Sequence, residues 1–128
     1  MKVLINLILA STLFVGICSA QSIAEQQDAR VIENLISAGS DISKPHNIDF
    51  FMFMPSKSKA KSAAAEMEKL GYTIASIDRD AGQSQWQIHA IRVMAPQLDA
   101  MTATTRTLES VAAKHGGDYD GWGASVVE

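Results

Sequence analysis

The order of extended and helical patterns is the feature that most limits how this chain can fold. Ile48–Met54 is a short run of apolar and aromatic residues that Pro55 ends, which predicts a strand. Ser56 then supplies a helix cap, and the apolar positions that follow it have helical spacing. Gly71 ends that helix, and a second extended run over residues 72–77 begins directly after it. The pattern therefore predicts a strand, a helix and a strand.

The same three elements recur in the second half. Asp80–Gln83 is a turn signal and residues 85–94 form another extended run, so a hairpin joins the halves. Pro96 suits the first turn of the next helix, which stops at Gly116 and Gly117 before a last strand. Two β-α-β halves paired in this way predict an α+β fold, a ferredoxin-like βαββαβ sandwich with two helices on one face of a four-stranded sheet.

An extra helix precedes this sandwich. Apolar residues recur at helical spacing within residues 22–39, and Gly39 supplies the stop. The apolar positions are Val31, Ile32, Leu35 and Ile36. Residues 40–47 are predicted as a loop. Because a helix must bury its apolar stripe, we expect this one to cover the sheet face that the other helices leave open, or else an edge.

The first twenty residues have the order of a secretory signal peptide. Lys2 gives a basic start, residues 3–17 are an apolar run, and Ala20 ends a small-residue cleavage site. The run is shorter than the roughly 20 residues that a membrane span needs. We predict a signal peptide over residues 1–20 and one domain over residues 21–128, periplasmic or secreted after cleavage near Ala20. The alternatives are a membrane anchor, a lipoprotein anchored through Cys18 and an uncleaved cytoplasmic protein.

Composition argues against disulfides and against direct nucleic-acid binding. The only cysteine is Cys18, so the mature domain would depend on packing alone. The formal net charge is −3, whereas phosphate backbones are bound by clustered Lys and Arg. Lys57, Lys59 and Lys61 alternate with Ser and Ala, which is typical of a solvated helix face. We expect no direct contact with nucleic acid.

Alternation along the strands separates two faces of the sheet. We assign to the helix-covered core every second residue of the first strand: Ile48, Phe50, Met52 and Met54. The other face then receives Phe51 and Phe53, together with His89, Ile91 and Val93. RNA-recognition domains carry stacked aromatics in a basic motif on their third strand, and Gln87–Arg92 contains no aromatic residue. Such an open face is either covered or a binding surface.

No motif for metal binding or catalysis stands out. His46, His89 and His115 have no metal-ligand spacing, so we expect no metal site. His46 is placed in a loop, and His115 at a helix C-terminus, where the dipole favours a cation. Asp118 and Asp120 share a strand face, which leaves a small hydrolase open as an alternative. Because no nucleophile motif occurs, we expect a protein that is not an enzyme.

The segment Tyr119–Gly123 is the most unusual in the chain, since glycines flank its tryptophan and aspartates its tyrosine. Glycines inside a strand mark a bulge or a close backbone approach. Trp and Tyr are enriched in protein interfaces, although Trp122 could instead pack in the core. We predict a protein-binding site formed by Tyr119, Asp120, Trp122, Phe51 and Phe53.

Three local runs resemble the RraB family, the protein inhibitors of ribonuclease E. They are the helix end Gly39–Asp41, the turn Lys69–Tyr72 and the segment Tyr119–Gly123, and the resemblance extends from about Val31 to Val127. It implies a ferredoxin-like domain that binds ribonuclease E and lowers its RNA-cleaving activity. It also implies that the domain has no cofactor and no active site of its own.

The predicted leader changes the expected partner. Ribonuclease E works in the cytoplasm, where an exported domain would not meet it. We therefore predict a non-enzymatic protein-binding regulator whose partner is another protein, such as a secreted enzyme that it restrains. The alternative is a cytoplasmic inhibitor of ribonuclease E whose leader stays uncleaved.

Overall fold

The computed structural model describes residues 22–128, so the predicted signal peptide lies outside the described residues. The elements in this range are α1 (Ile23–Ser37), β1 (His46–Met54), α2 (Lys57–Lys69), β2 (Thr73–Asp78), β3 (Trp86–Met94), α3 (Leu98–Lys114) and β4 (Asp118–Ala124). The strands pair antiparallel in the order β2-β3-β1-β4. This arrangement confirms the predicted α+β fold, a ferredoxin-like βαββαβ sandwich preceded by an extra helix.

Capping residues set the helix ends at the predicted places. Ser22 accepts a hydrogen bond from the backbone N–H of Glu25 at 3.1 Å, and Ser56 accepts one from Lys59 at 3.2 Å. Gly39 follows α1 with φ +98°, a conformation that L side chains rarely adopt. The helix starts and stops are therefore encoded locally.

Two local predictions are wrong. The last helix begins at Leu98, so Pro96 precedes its first turn instead of occupying it. β1 begins at His46, which we predicted in a loop, because this residue already pairs with Met94 of β3. Its imidazole is buried and has a hydrogen-bond partner at each ring nitrogen. A carbonyl oxygen only accepts, so Nδ1 donates to Lys44 O at 2.8 Å, and Nε2 shares a hydrogen bond of 2.6 Å with the Ser40 hydroxyl.

The core lies between the sheet and the helices. The side chains assigned to it along β1 are all 0% exposed: Ile48, Phe50, Met52 and Met54. Facing them, α2 contributes three buried alanines and Met67, and short side chains let this helix lie close to the strands. Each large apolar side chain buried here contributes about 1.5–3 kcal/mol.

α1 lies on the same face of the sheet as α2 and α3. It packs beside α3 and against β4, where it buries Ile32 and Leu35. The expectation that this helix covers the open face is therefore wrong, and the alternative of an edge position is confirmed. Polar residues of α1 find partners there, since Asp28 accepts hydrogen bonds from Thr105 of α3 and Trp122 of β4.

β4 contains one extra residue. Gly121 and Tyr119 pair with consecutive residues of β1, so Asp120 bulges out of the pairing. The extra residue reverses the alternation of side chains. Tyr119 and Trp122, which lie three positions apart, therefore both point to the core face. The predicted bulge is confirmed, with Gly121 at φ +120°.

Candidate functional site

One face of the sheet, here called the open face, has no helix of residues 22–128 packed on it. Directly paired residues share a face, so its side chains form rows across the strands. One row holds Asp78, Gln87, Phe53 and Asp118; the next holds Ser76, His89, Phe51 and Gly121; the third holds Thr73, Ile91, Asp49 and Gly123. Val93, beyond the third row, is 63% exposed.

A stacked pair occupies the centre of the open face. The rings of Phe51 and His89 lie 4.9 Å apart with 17° between their planes. His89 Nε2 is 2.7 Å from Asp49 Oδ1, and the two side chains are 29% and 40% exposed. Gly121 and Gly123 end two of the rows, and a Cβ at either would meet no atom within 4 Å. One flank of the stacked pair is therefore open to a bound molecule.

A hollow of about 230 Å³ lies at the end of the open face near Phe53. Its lining consists of Phe53, Asp78, Asp80, Gln83, Gln85 and Gln87. Within the described part of the chain, neither of its carboxylates forms an ion pair. The hollow therefore combines an aromatic wall with acceptor groups that are free to bind.

Trp122 and Tyr119 lie on the opposite, helix-covered side. Trp122 is 8% exposed, and its Nε1 donates to Asp28 Oδ1 at 2.8 Å. Thr105 donates to the same oxygen at 2.9 Å, while Asp28 Oδ2 has no hydrogen-bond partner among the described residues. Burial raises the pKa of Asp28 although these two hydrogen bonds oppose it, and burial also raises the pKa of Tyr119. This cluster fastens α1 to α3 and β4.

The first turn of α1 adds two further contacts to that cluster. Arg106 Nε donates to Glu25 Oε1 at 2.9 Å, and the Ser22 hydroxyl donates to Glu109 Oε1 at 3.0 Å. The Glu25 side chain is 7% exposed, so the carboxylate of this ion pair is largely shielded from solvent. Sequence reasoning missed Asp28 altogether, because its partners lie 77 and 94 residues away and no spacing marks it.

The five predicted site residues do not share one surface. Phe51 and Phe53 lie on the open face, whereas Tyr119 and Trp122 point into the core. Asp120 borders a crevice of about 70 Å³ between α1 and β4. The position of Trp122 matches the alternative of a packed core tryptophan. A role for these residues in binding a partner stays a prediction, and the open face presents only the two phenylalanines among them.

Other candidate groups have structural roles or lack a site. His115 Nε2 lies 3.0 Å and Lys114 Nζ 3.2 Å from Glu66 Oε1, and these hydrogen bonds lower the pKa of Glu66. No group of three or more His, Cys, Asp or Glu side chains within residues 22–128 is placed to hold a metal. The crevice at Asp120 is far smaller than the ~300–1,000 Å³ of small-molecule sites. None of the described helices is long and apolar enough to cross a membrane.

Comparison with known proteins shows which family the chain belongs to. A family model described as Regulator of ribonuclease activity B, or RraB, matches residues 25–124. The chain belongs to the RraB family. A Regulator of ribonuclease activity B from Pseudoalteromonas atlantica is 28% identical over 100 residues, which cover 76% of this chain and 86% of that protein. One from Actinobacillus succinogenes is 26% identical over 102 residues, which cover 77% of this chain and 72% of the relative.

Membership of the RraB family fixes the broad role. The family acts as a regulator of ribonuclease activity and is not itself an enzyme, so the chain is a non-enzymatic regulatory protein. The match begins at the third residue of α1 and ends at the last residue of β4. α1 is therefore part of the family domain, and the cluster around Asp28 holds that domain together.

Proposed function

We propose that this protein is an exported regulator that binds a protein partner through its open face. The observation that carries the proposal is the stacked pair of Phe51 and His89 on a sheet face that no described helix covers. The opposite face is buried under three helices. Phe51 is partly buried in the free protein, and aromatic side chains are enriched in protein interfaces. A regulator that is not an enzyme acts by binding its partner, and we propose that the open face is the binding surface.

Export rests on the first twenty residues, which combine a basic start, an apolar run and a small-residue site at Ala20. An exported regulator meets proteins outside the cytoplasm, so we propose a secreted enzyme as its partner. The intact mass of the protein in separated cell fractions tests this. A periplasmic or secreted species that begins at Gln21 supports export, and a full-length cytoplasmic species contradicts it.

A second candidate is cytoplasmic inhibition of ribonuclease E, favoured by the names of the relatives, which are regulators of ribonuclease activity. The purified protein is added to a ribonuclease E cleavage assay. A loss of cleavage that follows the concentration of the protein supports this candidate. An unchanged rate in large molar excess rules it out.

The use of the open face has its own test. Val93 is 63% exposed on the open face, and Ile36 is 52% exposed on α1, so the two positions form a matched pair. We expect Val93→Lys to weaken partner binding at least about tenfold, because an interface would desolvate the new charge. Ile36→Lys should leave binding unchanged. Equal effects of the two substitutions would contradict a role for the open face.

A further inference from the structure

The hollow beside Phe53 has the chemistry of a site for a positively charged group. Phe53 supplies an aromatic ring, and the face of such a ring attracts cations. Asp78 and Asp80 supply carboxylates that only accept hydrogen bonds, and three glutamines add amide groups whose oxygens can also accept. Among residues 22–128, no cationic side chain lines this hollow. A positively charged group that donates several hydrogen bonds could contact the ring and the acceptor oxygens at the same time.

The cation nearest in sequence is directed elsewhere. Arg79 stands between Asp78 and Asp80, yet its guanidinium lies 5.0 Å from the centre of the Trp86 ring. Lys57 of α2 lies over the same ring at 5.5 Å. Trp86 therefore holds these two cations, and within residues 22–128 neither carboxylate forms an ion pair.

The rest of the open face also carries carboxylates. Asp118 adds a further carboxylate to its rows, and so does Asp49, which already lies 2.7 Å from His89 Nε2. Arg92 is the only Lys or Arg residue in the described strands. Its guanidinium lies on the other side of the sheet, 5.1 Å from the centre of the Tyr72 ring. Charge complementarity therefore favours a cationic partner segment on this face.

We propose that the hollow binds one arginine side chain of the protein partner. The inference rests on the proposed function, because it names the chemistry that the partner brings to the open face. A guanidinium is planar, stacks on an aromatic ring and donates five hydrogen bonds in a fixed fork, whereas an ammonium is a hydrated point charge. The volume of about 230 Å³ is below the ~300–1,000 Å³ of small-molecule sites, which suits a single side chain.

The test uses the full chain without its partner. A short peptide whose only charged group is one arginine is titrated into isotopically labelled protein and followed by NMR, beside the same peptide with citrulline, which keeps the shape and removes the charge. We expect saturable shifts of the backbone amides of Phe53 and residues 78–87, with a dissociation constant on the order of 1 mM. The citrulline peptide should cause much smaller shifts.

Matched variants distinguish binding in the hollow from a general attraction between the peptide and an acidic protein. D78N/D80N changes two exposed residues that form no ion pair with any described residue, so the fold should persist while peptide affinity falls about tenfold. E33Q/E68Q removes the same charge from exposed positions on α1 and α2 and should bind like the native protein. Equal losses in both variants, shifts spread over the surface, equal binding of citrulline or no arginine-dependent shift would each overturn the inference.

The inference and the proposed function fail separately. If the arginine peptide does not bind but Val93→Lys still weakens the partner, only the arginine site is wrong. If the peptide binds in the hollow while Val93→Lys and D78N/D80N leave partner affinity unchanged, both the docking surface and the partner's arginine are wrong, although the hollow accepts a guanidinium.

Discussion

The two faces of the central sheet differ although the same strand supplies both. Phe50 and Phe51 are neighbours in β1, yet Phe50 is 0% exposed under the helices and Phe51 stacks on His89, whose side chain is 29% exposed. β1 is apolar at nearly every position from Ile48 to Met54. Its composition therefore does not decide which face becomes the core. The helices decide it, because three of them cover one side and none of those described covers the other.

Polar groups separate the two faces further. On the covered side, the carboxylate of Asp28 is buried and accepts hydrogen bonds from Thr105 and Trp122, so it holds elements of the fold together. On the open face, Asp78 and Asp118 are exposed and form no ion pair within the described residues. Buried polar groups therefore serve the architecture, and the exposed ones are available to a partner.

The largest expected difference is between the two phenylalanines. Phe50→Ala should lower the free energy of unfolding by about 3–5 kcal/mol, because it opens a cavity in the core. Phe51→Ala should lower it by about 1 kcal/mol, the size of a lost aromatic contact. Urea unfolding of both variants measures the difference. Similar losses of unfolding free energy in the two variants would contradict the difference between the two faces.

Trp122→Phe sharpens the account of the covered side. The substitution removes the indole N–H and leaves a buried carboxylate with one donor fewer, so we expect a loss of about 1–3 kcal/mol in unfolding free energy. Trp86→Phe is the control, because it keeps an aromatic ring beside Arg79 and Lys57; its loss should stay below about 1 kcal/mol. An equal cost at both positions would mean that the hydrogen bond to Asp28 does not hold α1.

The glycines of β4 give a smaller and more local test. A Cβ at Gly121 or Gly123 would meet no atom within 4 Å, but only Gly121 has a positive φ, +120°. Gly121→Ala should therefore cost about 1–3 kcal/mol through backbone strain. Gly123→Ala should stay within about 0.5 kcal/mol of the native protein. Thermal or urea unfolding measures both, and an unstrained Gly121→Ala would remove the basis for the bulge at Asp120.

The smallest expected effect is a pH dependence at Asp28. Burial raises its pKa above the ordinary value of 3.8, so its contribution to stability is present below that value and is lost as the pH rises through the raised pKa. Asp28→Asn keeps the oxygen that accepts from Trp122 and Thr105 and removes the charge. The variant should gain stability relative to the native protein as the pH rises from about 4 to 7. A stability difference that does not change with pH would contradict a buried charge.

Much of the fold could be predicted because its signals are local. Ser22 and Ser56 cap helices, Gly39 and Gly71 end them, and alternation along β1 assigns Phe51 and Phe53 to the open face. These signals extend over a few residues and need no knowledge of distant partners. The family resemblance, carried by short runs such as Tyr119–Gly123, is confirmed by the match over residues 25–124.

The errors come from long-range geometry. The place of α1 depends on Asp28, whose partners are 77 and 94 residues away in the chain. The direction of Trp122 depends on Asp120 being the extra residue, and the glycines indicate a bulge without saying which residue it displaces. Asp80 is predicted only as a turn residue, and its place in the hollow follows from the way that turn folds over β1.

The central claim is that the open face, and not the helix-covered side, meets the partner. The most direct test places a photo-reactive amino acid at Val93 or at Ile36 and irradiates living cells. The account predicts one discrete cross-linked protein from Val93 and none from Ile36, since both positions are exposed and only Val93 lies on the open face. A discrete adduct from Ile36 with none from Val93 would contradict it.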